Sequence, residues 1–110
     1  MDSVRATFGA GQTLTVDVRN LRVPFGWTLH PGNGASIDYY FSLSRGEEPL
    51  WQQAATTQPI TGTTSDMEDV PIAWMRFRQT GGAASTFELL GSSVIAGEMP
   101  VPAVSATPAE

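Results

Sequence analysis

The sequence predicts an all-β protein, an antiparallel β-sandwich or jelly-roll-like domain with extended termini. Short runs of alternating apolar and polar residues recur along the chain, separated by many of its 11 glycines and 8 prolines. No stretch has a helical period of useful length. Many short strands divided by turn residues are typical of a sandwich or barrel. A chain of 110 residues has room for one such domain.

The first half of the chain contains the clearest alternation. A strand over residues 3–8 ends in glycines, and residues 12–19 place every second residue, from Leu14 to Val18, on one face. Residues 20–30 are irregular, and Pro24 favours an edge strand or an extended loop. After the turn sequence PGNG, residues 35–44 form the best strand, with Tyr40 on its outer face.

The second half predicts a short strand over residues 50–54 carrying Trp51, and a threonine-rich strand within 56–64. Residues 65–70 are polar and acidic and are interpreted as a loop. The strand over 71–80 places Trp74, Arg76 and Arg78 outside, although a shift of one residue would move Trp74 into the core. Gly81-Gly82 predicts a hairpin turn to a strand over 84–90.

A change in composition after Gly97 divides the chain into a domain over 1–97 and a proline- and alanine-rich arm over 98–110. Pro100 and Pro102 lack backbone donors, so the arm cannot enter the interior of a sheet. We expect the arm to be extended, to become ordered on a neighbouring subunit and to contribute little to the fold of its own domain.

Charge and cysteine content exclude several classes of function. The net charge is −5 with 6 basic residues, all arginine, and no basic cluster, which argues against nucleic-acid binding. There is no cysteine, so disulfides and thiolate metal sites are ruled out. The sequence begins without a signal peptide and has no apolar run of membrane-spanning length. We therefore expect synthesis in a reducing cytoplasm, with no membrane partner.

Side chains suited to catalysis are sparse. His30 is the only histidine, and no nucleophile elbow or phosphate-binding loop is present. Asp66, Glu68 and Asp69 cluster without the spacing of a calcium loop, and a solvated connection explains them best. The sequence thus predicts a protein that is not an enzyme, with no catalytic residue, no metal site and no cofactor.

Binding residues are easier to nominate. Only 15% of residues are charged, against about a quarter in a typical protein, which suggests that partners cover part of the surface. Tryptophan, tyrosine and arginine are enriched at interface hot spots. The candidate interface residues are Trp27, Tyr40, Trp51, Trp74, Arg76, Arg78, Pro100, Val101 and Pro102.

The stretch from PGNG through SIDYYFSLS, LWQQA and DVPIAWMRF to TGGAASTFELLG resembles small structural proteins encoded beside the capsid genes of tailed bacteriophages. These include capsid decoration or cement proteins and head-fibre components. The resemblance covers roughly residues 32–91 and is one of pattern, without a diagnostic motif. It implies a β-sandwich on the outer surface of a virion, usually a dimer or trimer, and transfers no catalytic residue.

The leading interpretation is a virion structural protein, made in the host bacterial cytoplasm, that bridges and stabilises major capsid subunits or binds another virion protein as a homo-oligomer. The alternative is a carbohydrate- or receptor-binding module of a phage tail or head fibre, with Trp27, Tyr40 and Trp51 stacking on sugar rings. A third interpretation is a small hydrolase using Asp66, Glu68 and Asp69, which would require a pocket around them.

Overall fold

The computed structural model describes residues 2–46, 48–53, 59–94 and 99–106, and all of its regular elements are strands. The strands are β1 Asp2–Phe8, β2 Gln12–Asp17, β3 Phe25–His30, β4 Ser36–Ser42, β5 Gln52–Gln53, β6 Thr64–Glu68, β7 Trp74–Thr80, β8 Ser85–Gly91 and β9 Ala103–Ala106. Within the described ranges there is no helix long and apolar enough to cross a membrane.

The strands form two antiparallel sheets, one ordered β1-β8-β3-β6 and the other β5-β4-β7-β2-β9. Every connection except the one between β4 and β5 passes from one sheet to the other. The orders 1-8-3-6 and 5-4-7-2 are those of a jelly roll, in which two Greek keys face each other, and β9 adds a fifth strand beside β2. The predicted antiparallel β-sandwich or jelly-roll-like domain is confirmed.

The core lies between the sheets and consists of the alternate residues that the pattern predicts. Leu14, Val16 and Val18 are fully buried, as the period of two in this segment predicts. An aromatic cluster fills the centre of the core. The ring of Phe77 stacks on Tyr39 with centroids 4.8 Å apart and lies within 5.4 Å of Trp27 and 5.0 Å of Phe87.

Two segments differ from the sequence prediction in their regular structure. Residues 65–70 were expected to be a loop, but β6 runs through Glu68 and pairs with β3. Its acidic side chains are compatible with a strand because it lies at the sheet edge, where they reach water. The edge strand that Pro24 suggested is not found either. Pro24 precedes β3, and β3 is an internal strand between β8 and β6.

The Gly81-Gly82 turn joins β7 to β8, but it is not a hairpin, since β7 and β8 belong to different sheets. Both glycines have positive φ, 64° and 76°, which permits the tight reversal over the end of the sandwich. A Gly-Gly turn has the same sequence whether the following strand pairs in the same sheet or crosses to the opposite sheet. The hairpin prediction was therefore wrong.

The C-terminal arm also differs from expectation, because Ala103–Ala106 pairs with β2 of its own chain instead of requiring a neighbour. Met99 packs against the core of the same domain. The arm does stay out of the sheet interior as predicted, since β9 is an edge strand. The predicted boundary at Gly97 lies outside the described residues, as do residues 56–58 of the strand predicted within 56–64. In the described remainder of that segment Ile60 makes only an isolated bridge to Ile37, and regular strand begins at Thr64.

Candidate interaction surface

The outer face of the five-stranded sheet collects most of the candidate residues. Pairing of β4 with β7 places Tyr40 opposite Arg76, Ser42 opposite Trp74 and Asp38 opposite Arg78. Since alternate residues of a strand point to the same side, these side chains share one side of the sheet, although Ser42 is fully buried. Trp51 joins them from the segment before β5. We call the surface formed by Tyr40, Trp51, Trp74, Arg76 and Arg78 the arginine face. The predicted outward orientation of Trp74 is confirmed.

Arg76 is the centre of the arginine face. Its guanidinium carbon lies 4.3 Å from the centroid of the Tyr40 ring and 4.6 Å from that of Trp51. Contacts of a guanidinium with aromatic rings contribute about 0.5–2 kcal/mol each, more when water is excluded. Two such contacts hold the cation in one orientation, so little conformational entropy is left to lose when a partner binds.

A second stack extends the face toward the end of β2. Arg19 lies over the Trp74 ring at 4.4 Å and donates to both carboxylate oxygens of Asp17, at 2.9 and 2.7 Å. These hydrogen bonds lower the pKa of the Asp17 carboxyl below its usual range despite partial burial. Trp74 in turn donates its indole N–H to the carbonyl of Ser44 at 3.1 Å. The indole is thereby fixed on the surface.

Arg45, in the connection between β4 and β5, forms hydrogen bonds that hold this connection beside the Arg19–Trp74 stack. It donates to the carbonyls of Arg19 at 3.1 Å and Pro71 at 3.2 Å. Arg19 returns a bond to the carbonyl of Gly46 at 3.2 Å. Neither Arg19 nor Arg45 was nominated from the sequence, because each follows or precedes a strand and only its place in the fold brings it to Trp74.

A shallow hollow of about 230 Å³ lies between Trp51 and β9. Two arginines, Arg76 and Arg78, and three hydroxyl-bearing residues, Thr13, Thr15 and Ser105, line it together with Trp51 and Ala106. Guanidinium groups and hydroxyls are donors suited to carboxylates or other oxygen-rich groups of a partner. The hollow gives the arginine face a concave element beside its aromatic stack.

Trp27 was nominated for the interface but is only 2% exposed. It lies on the inner face of β3, packs on Tyr39 with centroids 5.2 Å apart and donates its indole N–H to Glu68 at 3.1 Å. The nomination was wrong because it rested on residue type, and the position of Trp27 on the inner face of β3 buries its ring in the core. Tyr39 also donates to Glu68, at 3.4 Å. Burial, followed by the charge of Glu68, raises the pKa of the Tyr39 phenol above its usual range.

The acidic residues near β6 do not form the separate cluster that the sequence suggested. Glu68 accepts from the core, while Asp66 lines a hollow of about 300 Å³ on the outer side of the four-stranded sheet. Glu88, also in that hollow, lies 3.3 Å from Arg5 and 3.2 Å from the His30 Nε2. Among the described residues, no group of three or more metal-ligating side chains comes together.

Many of the exposed apolar side chains gather at one end of the sandwich, in the connections leaving β2, β4, β6 and β8. We call this the apolar end, and its residues are Val23, Leu43, Leu50, Val70, Val94 and Val101. Val101, a nominated residue, is 85% exposed, and its neighbours Pro100 and Pro102 are partly buried. Scattered apolar residues are normal on a surface, but here six lie at the same end.

No protein-family model, curated protein or solved structure matches this chain.

Proposed function

We propose that this chain is a non-enzymatic structural protein of a tailed-phage particle, of the capsid decoration or cement type, that attaches through its arginine face. The observation that carries the proposal is the placement of Arg76 between Tyr40 and Trp51. Arginine and large aromatic residues dominate interface energetics when they are held rigidly at the centre of a contact. The resemblance of residues 32–91 to capsid-associated proteins is the reason for proposing a phage capsid as the partner.

Two further features support an attachment role. The apolar end lies beside Trp74, because β4 ends and β7 begins there. A partner that covers the arginine face and this end would bury apolar surface as well as the stacked arginines, the combination found at stable interfaces. The jelly roll holds most of the arginine face on the paired strands β4 and β7, and the apolar end lies in the connections at the ends of its strands. A rigid scaffold of this kind is what a protein bridging capsid subunits needs.

The test is co-sedimentation of the chain with shells of a tailed-phage major capsid protein. Replacing Arg76 with alanine is expected to weaken binding about ten-fold or more, because a central anchor contributes about 2 kcal/mol or more. The matched control is Arg5→Ala, which removes an equal charge from the opposite sheet, where Arg5 lies 3.3 Å from Glu88. Equal binding by the two folded variants would contradict attachment through this face.

Carbohydrate or receptor binding remains the second candidate, and the hydroxyl-lined hollow beside Trp51 favours it. Trp27 no longer contributes, since it is buried. A glycan seated in the hollow would change the fluorescence of Trp51 in the isolated protein. This function would be favoured over capsid attachment if a glycan quenches the fluorescence of the native chain but not that of the Trp51→Phe variant, and if the chain does not bind shells.

A further inference from the structure

The strands at the edges of the two sheets differ in how they are protected from pairing with other chains. Edge strands expose unpaired backbone N–H and C=O groups, and proteins guard them with charged side chains or keep them very short. In the four-stranded sheet, β1 carries Asp2 and Arg5, and β6 carries Asp66 and Glu68. In the other sheet, β5 has only two residues.

The remaining edge, β9, has neither protection. Its sequence AVSA contains no charged residue and no proline, and all four residues are exposed. One side of β9 pairs with β2 through Gln12–Thr15, and the described strands leave its other side unpaired. Val104 is 41% exposed and Val101, just before the strand, is 85% exposed. Within the described residues, β9 is thus the sheet edge most open to strand addition.

We propose that β9 is a self-association strand, and that two copies of this chain pair through their β9 edges in antiparallel orientation. A second copy is the occupant that the edge itself specifies, because identical antiparallel strands are self-complementary about a two-fold axis. The absence of charge on β9 permits this contact in a protein of net charge −5. Val101 and Val104 of each copy then lie close to the interface between the two β9 strands.

The geometry of this pairing has a consequence for the arginine face. Antiparallel strands in one sheet are related by a two-fold axis normal to the sheet, so the five-stranded sheets of both copies continue into each other with the same side outward. Both arginine faces would then point in one direction. A dimer of this kind presents two contact surfaces at once, and linked contacts bind more tightly than either alone.

Cysteine cross-linking tests the contact directly, because the chain has no cysteine of its own. Single cysteines are placed in turn at Ala103, Val104, Ser105 and Ala106, and each variant is oxidised and run on a non-reducing gel. At least one is expected to give a disulfide-linked dimer, since a residue near a two-fold axis meets its own copy. Ser3→Cys on the β1 edge is the control and is expected to stay a single chain.

The second measurement is sedimentation equilibrium of the unmodified protein and of lysine variants. The native chain is expected to shift from 11.7 kDa toward twice that mass as its concentration rises. Ser105→Lys, which adds the kind of charge that guards natural edges, is expected to abolish the shift, and Ser3→Lys to leave it unchanged. Circular dichroism of both variants checks that they fold.

Three results would overturn the proposal: a native chain that remains a monomer at all concentrations, a Ser105→Lys variant that dimerises like the native chain, or cross-linking between chains carrying Thr13→Cys and chains carrying Ser105→Cys. Thr13 and Ser105 are partners within one chain, so cross-linking between chains would mean that copies exchange β9 strands. All three results are obtained without capsids, so they are independent of the proposed attachment role.

Discussion

Gly82 and Gly81 form a matched pair for testing how the β7–β8 crossover is held on the sandwich. Both have positive φ, which alanine adopts at a cost of about 1–2 kcal/mol. A Cβ atom at Gly81 would meet nothing within 4 Å, whereas one at Gly82 would lie 2.3 Å from the Ala35 nitrogen and 2.5 Å from its Cα. The two alanine variants therefore differ mainly in this collision with backbone.

The collision cannot be relieved by a side-chain rotation, because the turn before β4 is fixed. The Ala35 N–H donates to the carbonyl of Gly32 at 3.0 Å, and the Ala83 N–H donates to the carbonyl of Asn33 at 3.0 Å. Buried Gln79 donates to the carbonyls of Gly81 and Ala83, at 2.9 and 2.7 Å. Moving either segment weakens these bonds.

For Gly81→Ala the expected loss is about 1 kcal/mol, since the strain is partly offset by a less flexible unfolded chain. For Gly82→Ala, overpacking adds about 1–3 kcal/mol and a weakened hydrogen bond about 1 kcal/mol. At about 4–8 °C per kcal/mol in a domain near this size, Tm falls by about 5 °C in the first variant and about 15 °C or more in the second. Thermal unfolding followed by circular dichroism measures both. Equal Tm values would refute the packing of the crossover against Ala35.

Three further predictions concern Glu68, Tyr39 and calcium. Glu68→Ala leaves the buried donors of Trp27 and Tyr39 without their acceptor and should lower the free energy of unfolding by about 2–4 kcal/mol, whereas Glu68→Gln, which keeps an acceptor, should cost clearly less in urea titrations. The raised pKa of Tyr39 means that its contribution to stability is complete below about pH 10, the unfolded value, and is lost as pH rises further. Tyr39→Phe should therefore flatten the decline of Tm above about pH 10. Calcium and chelators should leave Tm unchanged, and a clear rise with calcium would contradict the prediction that the chain has no calcium site.

The sequence predicted those parts of the fold that depend on local alternation. The period of two placed Leu14 and Val16 inside and Trp74 outside, and the structure confirms these faces. It failed where the outcome depends on which sheet a strand joins. The acidic run at Asp66 suits a loop or an edge strand equally well by composition, and only its pairing with Trp27 of β3 decides between them.

The candidate surface was predictable only in part for the same reason. Tyr40 and Arg76 are distant in sequence, and their stacking follows from the β4–β7 register, which alternation alone does not fix. Arg19 lies beyond the end of β2 and reaches Trp74 because β2 and β7 are neighbours in the sheet. Residue type indicated which side chains suit an interface, whereas strand order decided which of them come together.

The distribution of charge differs between the two sides of the sandwich. The acidic strand β6 and Glu88 lie on the four-stranded sheet, while Arg76 and Arg78 lie on the opposite face with Asp38 across from Arg78. In a chain of net charge −5, the two arginines make this face the one we expect an acidic partner to prefer. Electrostatic complementarity of this kind chiefly sets orientation and the rate of association. In the attachment that we propose, the stacked Arg76 provides a contact that is already in place when the partner arrives, so the same residue would serve both recognition and retention.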